Sequence, residues 1–178
     1  MNHLNKVILF LLVNCFLLLI VGFFVRNDFD VEREIIIPKS EAHVFRYIKY
    51  LKNQEHFSVW IINDSNVKKV YRGIDGRPGF FVIWDNQNNK FGRVRQKLLR
   101  IIENEKILTK LHFDAPFQMD AKADFMTESV SENATKVKWK IHGNMSYPRN
   151  LALLFVDINM MLGTPLEASL KNLKSRLR

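Results

Sequence analysis

The sequence predicts an α+β domain in which an antiparallel sheet curls around a long C-terminal helix, with one transmembrane helix ahead of it. Three observations carry this reading. The order of elements is strand, two helices, about six strands and a final long helix, as in folds whose helices gather on one side of a sheet. The strands alternate cleanly, most clearly where Val137, Trp139 and Ile141 interleave with Lys136, Lys138 and Lys140. The closing stretch, residues 148–178, is apolar nearly all round in its first half. No later strand follows it, so the sheet has to wrap it.

Residues 7–25 read VILFLLVNCFLLLIVGFFV, without a charge. As a helix at ~1.5 Å per residue they reach roughly 28 Å, close to the hydrocarbon core of a bilayer. A cleaved signal wants small residues after its apolar core, and Gly22-Phe23-Phe24-Val25-Arg26 does not supply them. Residues 1–25 are therefore read as an uncleaved anchor and residues 26–178 as one domain. The lone cysteine, Cys15, lies in the anchor, which leaves the domain without a disulfide, a thiolate metal site or a cysteine nucleophile. Lys6 before the span is balanced by Arg26, Arg33 and Lys39 after it. Charge thus does not fix orientation, and the domain is placed outside the cytoplasm because long domains translocate largely regardless of charge.

Phe29, Val31, Arg33, Ile35 and Ile37 alternate with Asp30, Glu32 and Glu34 as a first strand. Pro38 ends it, and Ser40 is the expected cap of a helix with Val44, Phe45 and Ile48 on its buried stripe. A second short helix is read over residues 53–60. Strands follow at residues 67–72, 80–84, 94–98, 106–113, 121–125 and 136–141. Gly73, Gly76, Pro78 and Gly79 mark one turn, an Asn-rich loop over residues 85–90 another, and Ala115-Pro116 a break. In the C-terminal stretch Leu151, Leu154, Phe155, Ile158, Met161 and Leu162 recur at helical spacing. Gly163-Thr164-Pro165 is then expected to break the helix, with Thr164 capping a second one that carries Leu166, Leu170, Leu173 and Leu177.

The chain carries a formal charge of +9, and only Lys6 contributes to it before Arg26. A basic domain suits anionic surfaces. Arg93, Arg95 and Lys97 on one strand phase are candidates for a membrane-surface face beside an anchor. No nucleic-acid motif is present, and none is expected for a tethered domain. No two histidines share metal-ligand spacing and no nucleophile elbow exists, so neither metal nor catalytic residues are assigned. His112, His142, Asp120 and Asp124 all read as exposed strand residues. Trp60, Phe80, Trp84, Phe113, Phe125 and Trp139 share the inward phase. They suit either a solid core or the lining of an apolar pocket.

Several phrases point one way. They are Val31-Glu32-Arg33 to Ile37 with Pro38; Val44-Phe45-Arg46-Tyr47-Ile48; Leu51-Lys52-Asn53 to Phe57-Ser58-Val59-Trp60; Gly79 to Trp84; Asn104-Glu105-Lys106-Ile107; Thr135-Lys136-Val137-Lys138-Trp139; and Leu170-Lys171-Asn172-Leu173-Lys174. Together they resemble the SRPBCC superfamily of START-like, helix-grip proteins, and within it bacterial polyketide cyclase/dehydrase-like members held by one N-terminal span. Many members have a Trp-Ser-Pro-Trp-like phrase where this chain has Phe57-Ser58-Val59-Trp60. The resemblance implies a sheet gripping the last helix, with an apolar cavity between them. It also implies a small apolar or lipid-like ligand, no cofactor and no particular reaction. On it, Phe45, Val82, Leu154 and Ile158 join the six aromatics as expected cavity lining. The leading expectation is non-catalytic binding beside a bacterial inner membrane. Two others stand: cyclase- or dehydratase-like chemistry, for which Gln96 and Thr109 are the inward polar candidates, and docking on anionic membrane or a membrane protein.

Overall fold

The computed structural model describes residues 2–62, 67–85, 92–114 and 118–178. Helix α1 (His3–Gly22) has a mean hydropathy of 2.5 and is long and apolar enough to cross a membrane. All of it but Gly22 is exposed. Then come β1 (Asp28–Ile37), α2 (Glu41–Ile48), a 3-10 helix (Leu51–His56) and the single turn α3 (Val59–Ile62). Six strands follow: β2 (Lys68–Arg72), β3 (Phe81–Asp85), β4 (Arg93–Ile102), β5 (Lys106–Phe113), β6 (Met119–Ser131) and β7 (Ala134–Asn144). A 3-10 helix (Arg149–Leu154) leads into α4 (Ile158–Leu177). The Asn-rich loop expected after Asp85 lies largely outside the described residues, as does the Ala115-Pro116 break.

The seven strands form one antiparallel sheet in the order β1-β7-β6-β5-β4-β3-β2, so the first and last strands pair and every other neighbour is a hairpin. The alternation read from the sequence becomes its two faces. Val31, Val82, Leu98, Ile107, Phe125, Val137 and Ile141 are buried on the inner face, in one core with Leu162, Leu166, Leu170 and Leu173 of α4. Helix α4 lies chiefly along β1. The outer face is charged.

The C-terminal helix begins elsewhere than expected. Residues 149–154 are a 3-10 helix, and α4 runs unbroken through Gly163-Thr164-Pro165. Its cap is Asp157, whose Oδ1 accepts from the Met160 backbone N–H at 2.9 Å, while Thr164 sits exposed inside the helix. A proline within a helix removes one backbone bond and costs about 3 kcal/mol. Leu162 and Leu166, on either side of Pro165, are fully buried. At roughly 1.5–3 kcal/mol each, their burial outweighs that loss. Gly163 lies under the Arg33 guanidinium of β1, which a Cβ there would have to displace. Asp157→Ala should cost about 1 kcal/mol. Thr164→Ala should stay within about 0.5 kcal/mol. Urea denaturation of both variants distinguishes the two helix starts.

At the N-terminal cap of α2, Ser40 occupies the capping position but its hydroxyl makes no capping bond. Asp75, in the β2–β3 turn, caps the 3-10 helix at Leu51 instead, accepting from the N–H groups of Leu51 (2.9 Å) and Lys52 (3.1 Å).

Helix α1 is seated on the domain. At Gly22 a Cβ would stand 3.0 Å from the Tyr147 ring and 3.1 Å from Leu151, so the missing side chain permits the contact. Asn150 is fully buried, and its Nδ2 donates to the carbonyls of Gly22 (2.7 Å) and Val25 (3.2 Å). Phe23 stacks on Tyr147 with ring centroids 4.3 Å apart. Through the register, the end of the sheet that joins α1 is the one holding Asp28 and Asn144 on β1 and β7. It continues through Met119, Phe113, Val94 and Trp84 on β6 to β3.

Candidate functional site: an apolar cavity beneath α3

Of the side chains the sequence assigns to a cavity, Trp60, Trp84, Phe113 and Trp139 do line one, of about 50 Å³. Its floor comes from β3 to β7, through Trp84, Val94, Gln96, Leu111, Ala123, Trp139 and Ile141 among others. Its roof is Gln54, Ser58, Trp60 and Ile61, from the 3-10 helix and α3. Phe45, Phe80, Val82 and Phe125 are buried in the core away from it. Ile158 is buried and Leu154 half exposed, and both border an outer hollow beside α1.

The expected position between sheet and C-terminal helix is thus corrected: none of the described lining residues belongs to α4. The reason is an aromatic plug. Phe125 stacks on Trp139 with centroids 4.3 Å apart, and Phe57 meets both edge-on at 6.3 and 6.0 Å. This cluster and the leucines of α4 fill the side over β1, and the cavity lies over β3 to β7. Helix α4 instead holds the roof. Ser169 Oγ accepts from the Val59 N–H at 3.0 Å and donates to the Pro165 carbonyl at 2.7 Å, and Asn172 Nδ2 donates to the Phe57 carbonyl at 3.1 Å.

The cavity walls are mostly apolar, yet four lining side chains carry a buried polar atom with no hydrogen-bond partner among the described residues. These are Gln54 Nε2, Trp84 Nε1, Gln96 Oε1 and Trp139 Nε1. The orientation of Gln96 follows from its neighbours. Thr109 gives its one hydroxyl proton to the Ala123 carbonyl (2.7 Å), so it must accept from Gln96 Nε2 (3.0 Å). That leaves the Gln96 carbonyl oxygen as an acceptor. Sequence alternation finds Gln96, which interrupts an apolar phase. It misses Gln54, on a short 3-10 helix, and Ser58, just before α3, where there is no period to violate. None of the described lining side chains is titratable. What they offer a ligand is apolar contact, ring faces, three N–H donors and one carbonyl.

The titratable groups stand on the outer face, in stripes. Lys140 of β7 bonds Asp30 of β1 at 2.6 Å and Lys136 bonds Glu128 of β6 at 3.3 Å. Asp124 is buried, against expectation, beneath Lys106 (3.0 Å) and His142 (3.5 Å). Arg95, expected at a lipid surface, pairs with Asp114 at 2.9 Å, while Arg93 and Lys97 remain exposed. The hydrogen bond that Lys140 donates to Asp30 holds its ammonium above its ordinary value. Hydrogen bonds from Lys110 and then His112 hold the Asp120 carboxyl below the usual carboxylate range. A depressed carboxylate stabilises the fold above its unfolded value of about 3.9, and that contribution is lost as pH falls through the folded value. Both partners are about half exposed, so the effect stays under about 1 kcal/mol. Asp120→Asn should flatten the fall in urea stability below about pH 4 and change little at neutral pH.

No protein-family model matches this chain, and no curated protein matches it. Solved structures do. Norcoclaurine synthase from Thalictrum flavum, in complex with dopamine and hydroxybenzaldehyde, superposes with a TM-score of 0.67 at 9% identity, over 88% of this chain and 90% of that one. Mll3558 from Rhizobium loti gives 0.62 at 15% identity, over 84% and 97%. DynU16, a protein of the dynemicin biosynthetic locus, gives 0.58 at 9% identity, over 83% of this chain and 46% of that one. At such identities the likeness concerns architecture, and with the sheet order and the wrapped α4 it gives the chain the helix-grip fold.

Proposed function

We propose that this chain is a membrane-anchored, non-catalytic binding protein for a small, neutral, mostly apolar molecule with one polar end. The observation that carries the reading is the set of four buried polar atoms, on Gln54, Trp84, Gln96 and Trp139, around one apolar cavity. Each such atom left without a partner costs about 1–3 kcal/mol. A ligand hydroxyl or carbonyl would recover part of that cost. A charged ligand would be buried with no counter-charge, which is far more costly, so the ligand is neutral. Proton transfer needs a titratable group within reach of substrate, and the described lining supplies none. Hydroxybenzaldehyde, bound to norcoclaurine synthase, is a ring of this type, with a hydroxyl and a carbonyl.

Pockets for drug-sized molecules run to roughly 300–1,000 Å³. This cavity, at about 50 Å³, accepts only a few heavy atoms as it stands. A larger ligand enters by lifting α3, a single turn tied to α4 through Val59 and Ser169. The reading takes α1 as a span because it is apolar, exposed and of bilayer length, and it places the domain outside the cytoplasm.

The test is thermal unfolding of the full chain in detergent with phenol or with benzene, for wild type and Ala123→Leu. A ligand at about 100 times its Kd stabilises by about 2.7 kcal/mol. Phenol should raise Tm more than benzene in wild type, and neither should do so once Leu fills the cavity. Equal shifts in the two proteins would overturn the reading.

A further inference from the structure

We infer that the apolar surface formed by Phe24, Leu154, Phe155 and Met160 lies in the bilayer interface, so that the domain rests on the membrane beside the exit of α1. The inference deepens the reading of α1 as a span and rests on it.

Exposure singles out this surface. Phe155 is 77% and Met160 70% exposed, and among the described residues after Val25 no other large apolar side chain exceeds Ile74, at 64%. Singly exposed apolar residues are common, but Phe155 and Met160 are five residues apart at the entry to α4, flanking residues that line one hollow with Phe24. Leu154 is 50% exposed and Phe24 85%. Their position is fixed by the joint already described. Asn150 binds the Gly22 and Val25 carbonyls, and Tyr147 and Leu151 close on Gly22. The 3-10 helix Arg149–Leu154 is thereby held against the last turn of α1, and the residues that follow it lie at the same level. The hollow alongside brings Val21 and Phe24 together with Leu153, Leu154 and Val156, and its polar part is Arg26, Asp28, Asp30 and Asp157, groups that suit the headgroup side of an interface.

The occupant follows from continuity. Helix α1 ends at Gly22, so on this reading Phe23 and Phe24 stand at the boundary of the hydrocarbon core, where aromatic rings concentrate. An apolar surface fastened to that level continues the apolar surface of α1. Burying it removes aromatic and thioether area from water at roughly 25 cal/mol per Å². The basic strip on β4 is less well placed. It lies four strands from β1, about 19 Å across the sheet at ~4.8 Å per strand, and on the charged face.

The test uses the full chain with Cys15→Ser, reconstituted in vesicles of phosphatidylcholine and phosphatidylglycerol. Phe155→Cys, Met160→Cys and Ile74→Cys each carry a polarity-sensitive fluorophore; Ile74 adjoins β2 at the far edge of the sheet. Expected are blue-shifted emission and several-fold stronger quenching by lipid-borne nitroxides at positions 155 and 160, with neither at 74. Positions 155 and 160 as wet as 74, in a chain that stays in the vesicles through an alkaline carbonate wash, would overturn the docking and leave the span. Release of the chain by that wash would overturn the span and the docking with it. A blue shift that lipid quenchers do not reach, and that fades on dilution of protein in the bilayer, would assign the surface to a second copy and overturn the inference.

Discussion

Phe125→Ala should lower the stability of the domain by about 3–5 kcal/mol, the range for truncating a fully buried phenylalanine. The ring is wholly buried on β6. It stacks on Trp139 from the neighbouring strand and takes the edge of Phe57 from beneath α3, so its loss unsupports two other rings. Domains of this size are stable by only about 5–15 kcal/mol, so the variant loses a large part of its margin. Urea denaturation of the full chain in detergent, followed by tryptophan fluorescence, reads the change. Because Trp139 is both the partner of Phe125 and a wall of the cavity, phenol binding should weaken in the same variant. A loss below about 1.5 kcal/mol would mean that the neighbours collapse into the space, and the plug would then not be what keeps the cavity away from β1 and α4.

Gln96→Met should separate binding from folding. The substitution removes a buried carbonyl oxygen with no partner among the described residues, which recovers about 1–3 kcal/mol. It also removes the bond from Gln96 to Thr109, which costs about 0.5–1.5 kcal/mol, while Thr109 keeps its own bond to the Ala123 carbonyl. Stability should therefore hold or rise. Affinity for phenol should fall about tenfold, the equivalent of one hydrogen bond of about 1.4 kcal/mol, while affinity for benzene should hold. Calorimetric titration and urea unfolding of the same two proteins measure both sides. A destabilised variant that binds phenol as wild type does would show that Gln96 serves the core alone.

The fold was legible because the sheet has a polar and an apolar face, and the period of two survives along almost every strand. Lys106 to Phe113 is a strand in the sequence and in the structure alike. The helix starts were harder. Gly163-Thr164-Pro165 carries the local marks of a break, but burial of Leu162 and Leu166 overrides them, and local chemistry does not report tertiary burial. The aromatic residues were read as inward, which they are. Which of them pack on one another and which line space depends on where α4 crosses the sheet, and no spacing within a strand records that. Gln54 and Asp124 show the same limit: one is buried on a short 3-10 helix, the other on the charged face beneath a lysine and a histidine.

The register has a consequence for supply. Trp84, Val94 and Phe113, at one end of the cavity, occupy the strand ends on the side where α1 joins the sheet. On the proposed reading of α1 as a span, an apolar ligand would reach that end out of the lipid phase, where it is far more concentrated than in water. A gain of about 0.8 kcal/mol for each methylene transferred raises that concentration severalfold per carbon.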